Sequence, residues 1–557
     1  MYRMNNYHST PTSITKRNLL KGIAGGTAAS VAGLAIAEEA DAWSFSSWFR
    51  SIFYPTYTVN AQITTFLDSA LSSAFRTIGV NAGTQNYTNQ NPGVFDIRNA
   101  QLSVTGLTAA FQTKSVNWFA QIAGNQIKRS NTEIAPFGDR LSSTDLGSML
   151  ASQRSITGGN FSLSYGFYNA AISDTILNAF DGGISAPACN DLTNAYQFYM
   201  YLTDRYNTWM GDLVSATPRL ASQPFGVFVL PGAHDAGMNG LPRLGDLFAN
   251  SRRLDALLNS LLNNVSAAGR QLLSLGGTAF LRALPQSTLS RVIRNLALTQ
   301  KDDTATMLNL GVRYFDFRPG YIFPAGASEQ ALGLFHQHNM IPGGSYTTFL
   351  ADVLNWLKAN PSEIVVLHIN SQGIYNDAMI PSQGTLDAAM SSALSQYGAG
   401  IKSGDKTAFG SSYASLISAN KRLIVLYQSG SYRTVNRYDS YSDGAYTTTC
   451  PGSILGALNN MNAGGQSGAD YTVLQLQGTA TGTKSGAAAA ILGDGDASSP
   501  LLATKPVFDA ATLGWVRGIA GGRFQPRQPL VLLNDFADNA MTSTAITVTR
   551  QRSSAVA

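Results

Sequence analysis

From Ile63 the apolar residues Ile63, Phe66, Leu67, Ala70, Leu71, Ala74, Phe75 and Ile78 recur three, four and seven positions apart and stop at Gly79. That spacing predicts an amphipathic helix. Its polar face lacks the Lys/Arg pattern that anionic lipid attracts, so the helix is expected to pack within its own domain. The period then drops to two. Val116, Trp118, Ala120 and Ile122, and later Phe161, Leu163, Tyr165 and Phe167, alternate with mostly polar residues, the mark of half-buried strands. Residues 43–204 are therefore expected to form a smaller α+β or mainly β domain.

After about residue 205 strands and helices alternate, which predicts a parallel sheet of the α/β class. The candidate strands are Gly226–Leu230, Val312–Arg318, Leu332–His338, Glu363–Asn370, Leu423–Gln428, Tyr471–Gln477 and Leu530–Asp535. One helix starts on Ser345 as its cap, sets Phe349, Leu350, Val353, Leu354 and Leu357 on one face and stops before Pro361. A strand-rich stretch of this length predicts a (β/α)8 TIM-like barrel over residues 205–545, with 546–557 as a tail. The Leu- and Arg-rich segment from Leu241 to about Leu298 reads as a helical insertion over the first barrel loop.

At 557 residues the chain exceeds one ordinary domain, and 44% apolar against 13% charged residues describes a globular protein. The net charge of +5 includes Arg3, Lys16, Arg17 and Lys21 near the amino terminus, so the remainder of the chain is close to neutral and no nucleic-acid partner is implied. Cys189 and Cys450 permit one bridge and exclude a cysteine-based zinc cluster. The run Thr15-Lys16-Arg17-Asn18-Leu19-Leu20-Lys21, followed by small residues from Gly22 to Ala37, resembles a twin-arginine leader with Lys in the first place. Ala40-Asp41-Ala42 offers its cleavage site. Residues 1–42 are thus read as an export leader in preference to a membrane anchor, because the stretch from Gly22 to Ala37 is short and weakly apolar for spanning a bilayer, which implies a secreted or periplasmic protein. Elsewhere no uncharged apolar run approaches 18 residues, so no integral membrane protein is expected.

Histidine is scarce, and its placement is informative. Of five, His8 lies in the leader, while His234, His336, His338 and His368 all fall at or just past the carboxyl ends of candidate strands. In a parallel barrel that is where catalytic groups converge. His336 and His338, two apart on one strand, point to the same side, and His338 is nearer the carboxyl end. His368 fits a hydrogen-bonded barrel residue.

The stretch Pro231-Gly232-Ala233-His234-Asp235-Ala236-Gly237 resembles the Pro-Gly-Thr-His-Asp-Ser-Gly motif of the X region of phosphatidylinositol-specific phospholipases C. The resemblance continues in family order through Thr299-Gln300, Gly311-Val312-Arg313-Tyr314-Phe315-Asp316-Phe317-Arg318, His336-Gln337-His338, Asn360-Pro361-Ser362-Glu363 and Leu533-Asn534-Asp535-Phe536. It implies that His234 is the general base for an inositol hydroxyl, oriented by Asp535, and that a histidine of the His336–His338 strand end is the general acid. His338, paired with Asp235, is preferred because it lies nearer the carboxyl end, and His336 is its competitor. Arg318 would bind the phosphoryl oxygens and Asp316 would hold that arginine; His336 and Asn370 would line the substrate. The animal enzymes have His-Asn and Glu-x-Asp where this chain has His234-Asp235 and Asp316-Phe317-Arg318, so the chain resembles the bacterial branch, which uses no metal or other cofactor. A phospholipid at a membrane surface is the implied substrate. Asn370 stands where the bacterial enzymes carry Lys, and the Arg expected of the family is not found around Gln428, which leaves another head group open. A lipid- or glycan-binding protein that keeps the barrel without catalysis is the alternative of a different class.

Overall fold

The computed structural model describes residues 56–68, 75–82, 85–105, 114–134, 141–142, 155–169, 196–242, 255, 285–322, 333–375, 377–428, 436–441, 448, 450–462, 468–479 and 499–556. The leader, Cys189 and most of the expected insertion lie outside these residues.

Eight parallel strands carry the larger part of the chain: β1 (Val229–Ala233), β2 (Tyr314–Phe317), β3 (Val365–Asn370), β4 (Lys402–Gly404), β5 (Lys421–Gln428), β6 (Tyr438–Asp439), β7 (Tyr471–Gln475) and β8 (Leu530–Asn534). Their order is β4-β5-β3-β2-β1-β8-β7-β6. Among the described residues β4 and β6 remain edges, so the sheet is barrel-like without the closure expected from the sequence. The strands are nearly continuous apolar runs, as Val365-Val366-Leu367 and Leu530-Val531-Leu532-Leu533 show, because both of their faces are buried. Alternate residues enter two different cores. Val229, Phe315, Leu367, Val425 and Leu532 join one cluster with helix α1 (Tyr346–Ala359), whereas Leu230, Tyr314, Val366, Leu426 and Val531 join a second.

Helix α1 forms as expected. Ser345 caps it by accepting the Thr348 N–H at 3.4 Å, and Phe349, Leu350, Val353, Leu354 and Leu357 are buried. The candidate strand Leu332–His338 needs correction. Leu334–His338 is the middle strand of an antiparallel three-stranded sheet with Pro319–Tyr321 and Ile341–Ser345, and lies outside the parallel sheet.

Among the described residues the helix expected over residues 63–78 does not form. Thr56–Leu67 and Arg76–Ala82 are strands, each in its own five-stranded sheet. The strand from Phe161 and the strand containing Trp118 form as read. The sheet containing Thr56–Leu67 and Tyr196–Asp204 packs on helices α2 (Pro500–Trp515) and α3 (Asn539–Ala555). Phe66, Tyr201 and Leu202 share one apolar core with Phe508, Met541 and Ala545. Polar bonds cross this contact: Tyr201 donates its hydroxyl to Asp509 at 2.8 Å, and Asn539 donates to the carbonyls of Ser162 and Tyr201 at 3.0 and 2.9 Å. Helix α3 runs to Ala555, past residue 545 where the barrel was expected to end.

Candidate active site

Sheet parity aims the functional side chains. Leu230, Tyr314, Val366, Leu426 and Val531 all belong to the second core, and the residues two or four further along each strand keep that parity. Those residues are His234, Asp316 and Arg318, His368 and Asn370, Gln428, and Asp535. They therefore converge beyond the carboxyl ends of five neighbouring strands. The antiparallel hairpin adds His336 and His338 from the side. Its close approach depends on Gly237, where a Cβ would lie 2.3 Å from the His336 Cβ. Asp235 sits at φ +44°, in the left-handed region that Asp tolerates better than most side chains, and its carboxylate is fully buried.

Two imidazoles are each tethered through Nδ1 to a carboxylate of their own. His234 Nδ1 lies 2.8 Å from Asp535 Oδ1, and His338 Nδ1 lies 2.9 Å from Asp235 Oδ2. Arg318 stands among them. Its Nε is 2.9 Å from Asp235 Oδ1, and its Nη2 is 3.1 Å from Asp316 Oδ2 and 3.3 Å from His234 Nε2. The His338 side chain is 33% exposed, that of His234 16% and that of Arg318 15%. His336 differs: its side chain has no exposure. Its Nδ1 accepts the Arg318 N–H at 3.2 Å, which places the ring proton on Nε2, facing Asp235 Oδ1 at 3.3 Å. It therefore stands behind the site and supports Asp235 and Arg318, out of a substrate's reach.

His368 bridges Asp316 Oδ1 at 3.1 Å and Gln428 Oε1 at 2.8 Å and stacks on Tyr314. That is the hydrogen-bonded role read for it, and Gln428 is a supporting residue that sequence reasoning missed. Asn370 reaches the same end of the sheet, but it is buried and its Oδ1 accepts the Gln372 N–H at 2.8 Å, so it shapes the following turn. Arg313 and Glu363, both inside family-like motifs, meet at the opposite end of β2 and β3. They form a fully buried pair at 2.8 Å, with the guanidinium 4.4 Å from the Trp356 ring, a clasp remote from the histidines.

The charges oppose one another in a definite order. Burial disfavours a charged His234 ring, and Arg318 does the same, but Asp235 and Asp535 outweigh them and hold His234 at about 9. Burial pushes Asp235 up, yet Arg318, His234 and His338 bring it well below the usual carboxylate range. Asp316 is likewise lowered, mainly by Arg318 working against burial. Burial pushes His336 down, towards the neutral ring its hydrogen bonds require. Ligand atoms of His234, Asp235 and Asp316 lie within 4.8 Å of one another, a group that would suit a cation. The Arg318 guanidinium contacts all three residues and supplies positive charge there.

No family model matches the chain, and no curated protein matches it. Solved structures with a similar course include a variant of the phosphatidylinositol-specific phospholipase C from Staphylococcus aureus, at 14% identity and TM-score 0.35, covering 61% of this chain and 96% of that one. Another is the phosphatidylinositol-specific phospholipase C from Listeria monocytogenes, at 13% identity and TM-score 0.33, covering 59% and 95%.

Proposed function

We propose that the chain is a phosphodiesterase that cleaves the glycerol–phosphate bond of a phospholipid whose head group carries a hydroxyl beside the phosphate, phosphatidylinositol being the first candidate. The observation that carries this reading is the pair of carboxylate-tethered histidines, His234–Asp535 and His338–Asp235, set around one guanidinium. A phosphodiester is anionic and its alkoxide leaves poorly, so its cleavage calls for a base, an acid and a fixed cation together. A protein that only binds lipid or glycan has no use for two such pairs.

In this mechanism His234 Nε2 takes the proton of the neighbouring hydroxyl, whose oxygen attacks phosphorus and closes a cyclic phosphate. Asp535 keeps the proton of Nδ1 in place and stabilises the imidazolium that forms. The bond from phosphorus to the glycerol oxygen breaks, and His338 gives that oxygen a proton from Nε2. Arg318 holds the two non-bridging oxygens as a planar fork, with Asp316 fixing its orientation. When the phosphate takes the Nη2 donor of Arg318, His234 Nε2 is released to act as base. Because Arg318 fills the cation's part, the reaction needs no metal. Among the described residues no helix is long and apolar enough to cross a membrane. With the leader read over residues 1–42, we place the enzyme outside the cytoplasmic membrane, acting on lipid at a surface.

A panel of purified phospholipids tests the reading. Lipids with a hydroxyl next to the phosphate should be cleaved, and phosphatidylcholine, which lacks one, should not. Equal rates on both would sink the cyclic route.

A further inference from the structure

The turns that carry His234 and Asp535 follow adjacent strands. The β1–β8 ladder ends with Ala233 opposite Asn534, and one further bond runs from the His234 N–H to the Asn534 carbonyl at 3.1 Å. Both turns are then tied to a third segment. Gln300, 1% exposed, donates Nε2 to the His234 carbonyl at 2.8 Å and to the Asn534 carbonyl at 3.2 Å, and its Oε1 accepts the Ala537 N–H at 2.9 Å. Both amide hydrogens and the amide oxygen are thus engaged, which also fixes which way the amide faces. Thr299, 3% exposed, brings Oγ1 to 3.2 and 3.1 Å from the His234 and Asp235 carbonyls, while its own carbonyl accepts the Phe536 N–H at 2.7 Å. Phe536 is held at φ +49°, where a phenylalanine stays only if its surroundings impose it.

We propose that Thr299 and Gln300 are positioning residues that set the contact between His234 and Asp535 by clamping both turns to one segment. The proposal rests on His234 being the base of the reaction proposed above. The groups that face the His234 ring are Asp235 from its own turn, Asp535 from the turn after β8, and Arg318 from the turn after β2. Only the Asp535 contact spans two turns that the clamp joins.

The test measures the His234 ring titration by NMR, together with kcat and KM across pH, in Gln300→Met, Thr299→Val and Thr299→Ser. On the high-pH plateau, where the His234 ring is neutral, Gln300→Met and Thr299→Val should lower kcat about tenfold or more while KM stays close to wild type, because a misplaced base costs turnover and not binding. In both, His234 should titrate nearer an ordinary histidine, since burial and Arg318 persist while Asp535 loosens. Thr299→Ser keeps the donor and should recover most of what Thr299→Val loses. Should Gln300→Met fail to fold, the two Thr299 variants carry the test. Folded Val and Met variants with wild-type titration and wild-type kcat would overturn the clamp, as would a Ser variant no better than Val. If the wild type cleaves no phosphodiester, the proposed function falls, while the His234 titration still decides the clamp.

Discussion

Asp535→Asn removes one negative charge 2.8 Å from His234 Nδ1 and leaves an acceptor of the same shape. With Asp535 gone, burial and Arg318 are opposed by Asp235 alone, and the ring, now held at about 9, should titrate roughly 1 to 2 units lower, each unit being about 1.4 kcal/mol. The base must be neutral to act, so activity rises with pH through this titration, and the rising limb should move down with it. Turnover at the plateau should also fall. The imidazolium loses a charge-assisted bond of about 1.5–3 kcal/mol, roughly tenfold to a hundredfold in kcat/KM. At pH 7 the two effects oppose each other. A ring held at about 9 is neutral in only about 1% of wild-type molecules there, whereas a ring near 7.5 would be neutral in roughly a quarter. The variant should therefore approach the wild type near neutrality and fall furthest behind it above pH 9.5. Initial rates on a nitrophenyl phosphodiester of inositol between pH 6 and 10.5 measure this, because that leaving group needs no acid. A limb that stays in place, or a ratio of variant to wild type that is flat across the range, would refute the claim that Asp535 acts through the charge of His234.

Other substitutions separate the roles of single groups. His338→Ala should lose far more activity on a natural lipid than on the nitrophenyl ester, whereas His336→Ala should impair both alike, because its ring supports Asp235 and Arg318 and gives up no proton. Comparing the two substrates decides it. Arg318→Lys should cost about 3 kcal/mol of transition-state stabilisation, since a point charge replaces a bidentate fork, and calcium should not restore the lost kcat/KM. Arg313→Met leaves Glu363 buried without its partner and should lower unfolding stability by about 3 kcal/mol or more. Denaturant melts should show that loss while the pH profile of the folded enzyme keeps its shape.

Six strands of the parallel sheet were legible in the sequence because they are apolar runs separated by helical periods, whereas the short edge strands Lys402–Gly404 and Tyr438–Asp439 carry too few residues to show a pattern. The helix α1 was legible to within a residue, since the Ser345 cap and Pro361 bracket it. The misread helix at 63–78 has a physical cause. Gln62, Thr64 and Thr65 are buried much as Ile63 and Phe66 are, so a strand covered on both faces shows no alternation, and its apolar positions mimic a helical stripe. The boundary expected at residue 545 falls inside helix α3 for a similar reason. The helix buries Thr542, Ser543, Thr544, Thr549 and Ser553 against the N-terminal sheet and the second core, and polar residues in such places give no apolar signal. The strand at His336–His338 was found, but periodicity cannot name a partner, and its place in a hairpin appeared only in three dimensions. Histidine placement pointed to His234, His336, His338 and His368 at one end of the sheet, whereas Asp316 and Arg318 were named through the family resemblance. Gln428 and the bonds of Gln300 carried no such signal, because a buried glutamine between apolar runs reads like any other polar residue.

The identity of the first product tests the central claim most directly. Phosphorus NMR of purified enzyme with phosphatidylinositol vesicles in EDTA should show a five-membered cyclic phosphate appearing first, with diacylglycerol released in equal amount. Turnover that yields only an open phosphate monoester from the start, or that requires a divalent cation, would contradict the assignment of His234, His338 and Arg318.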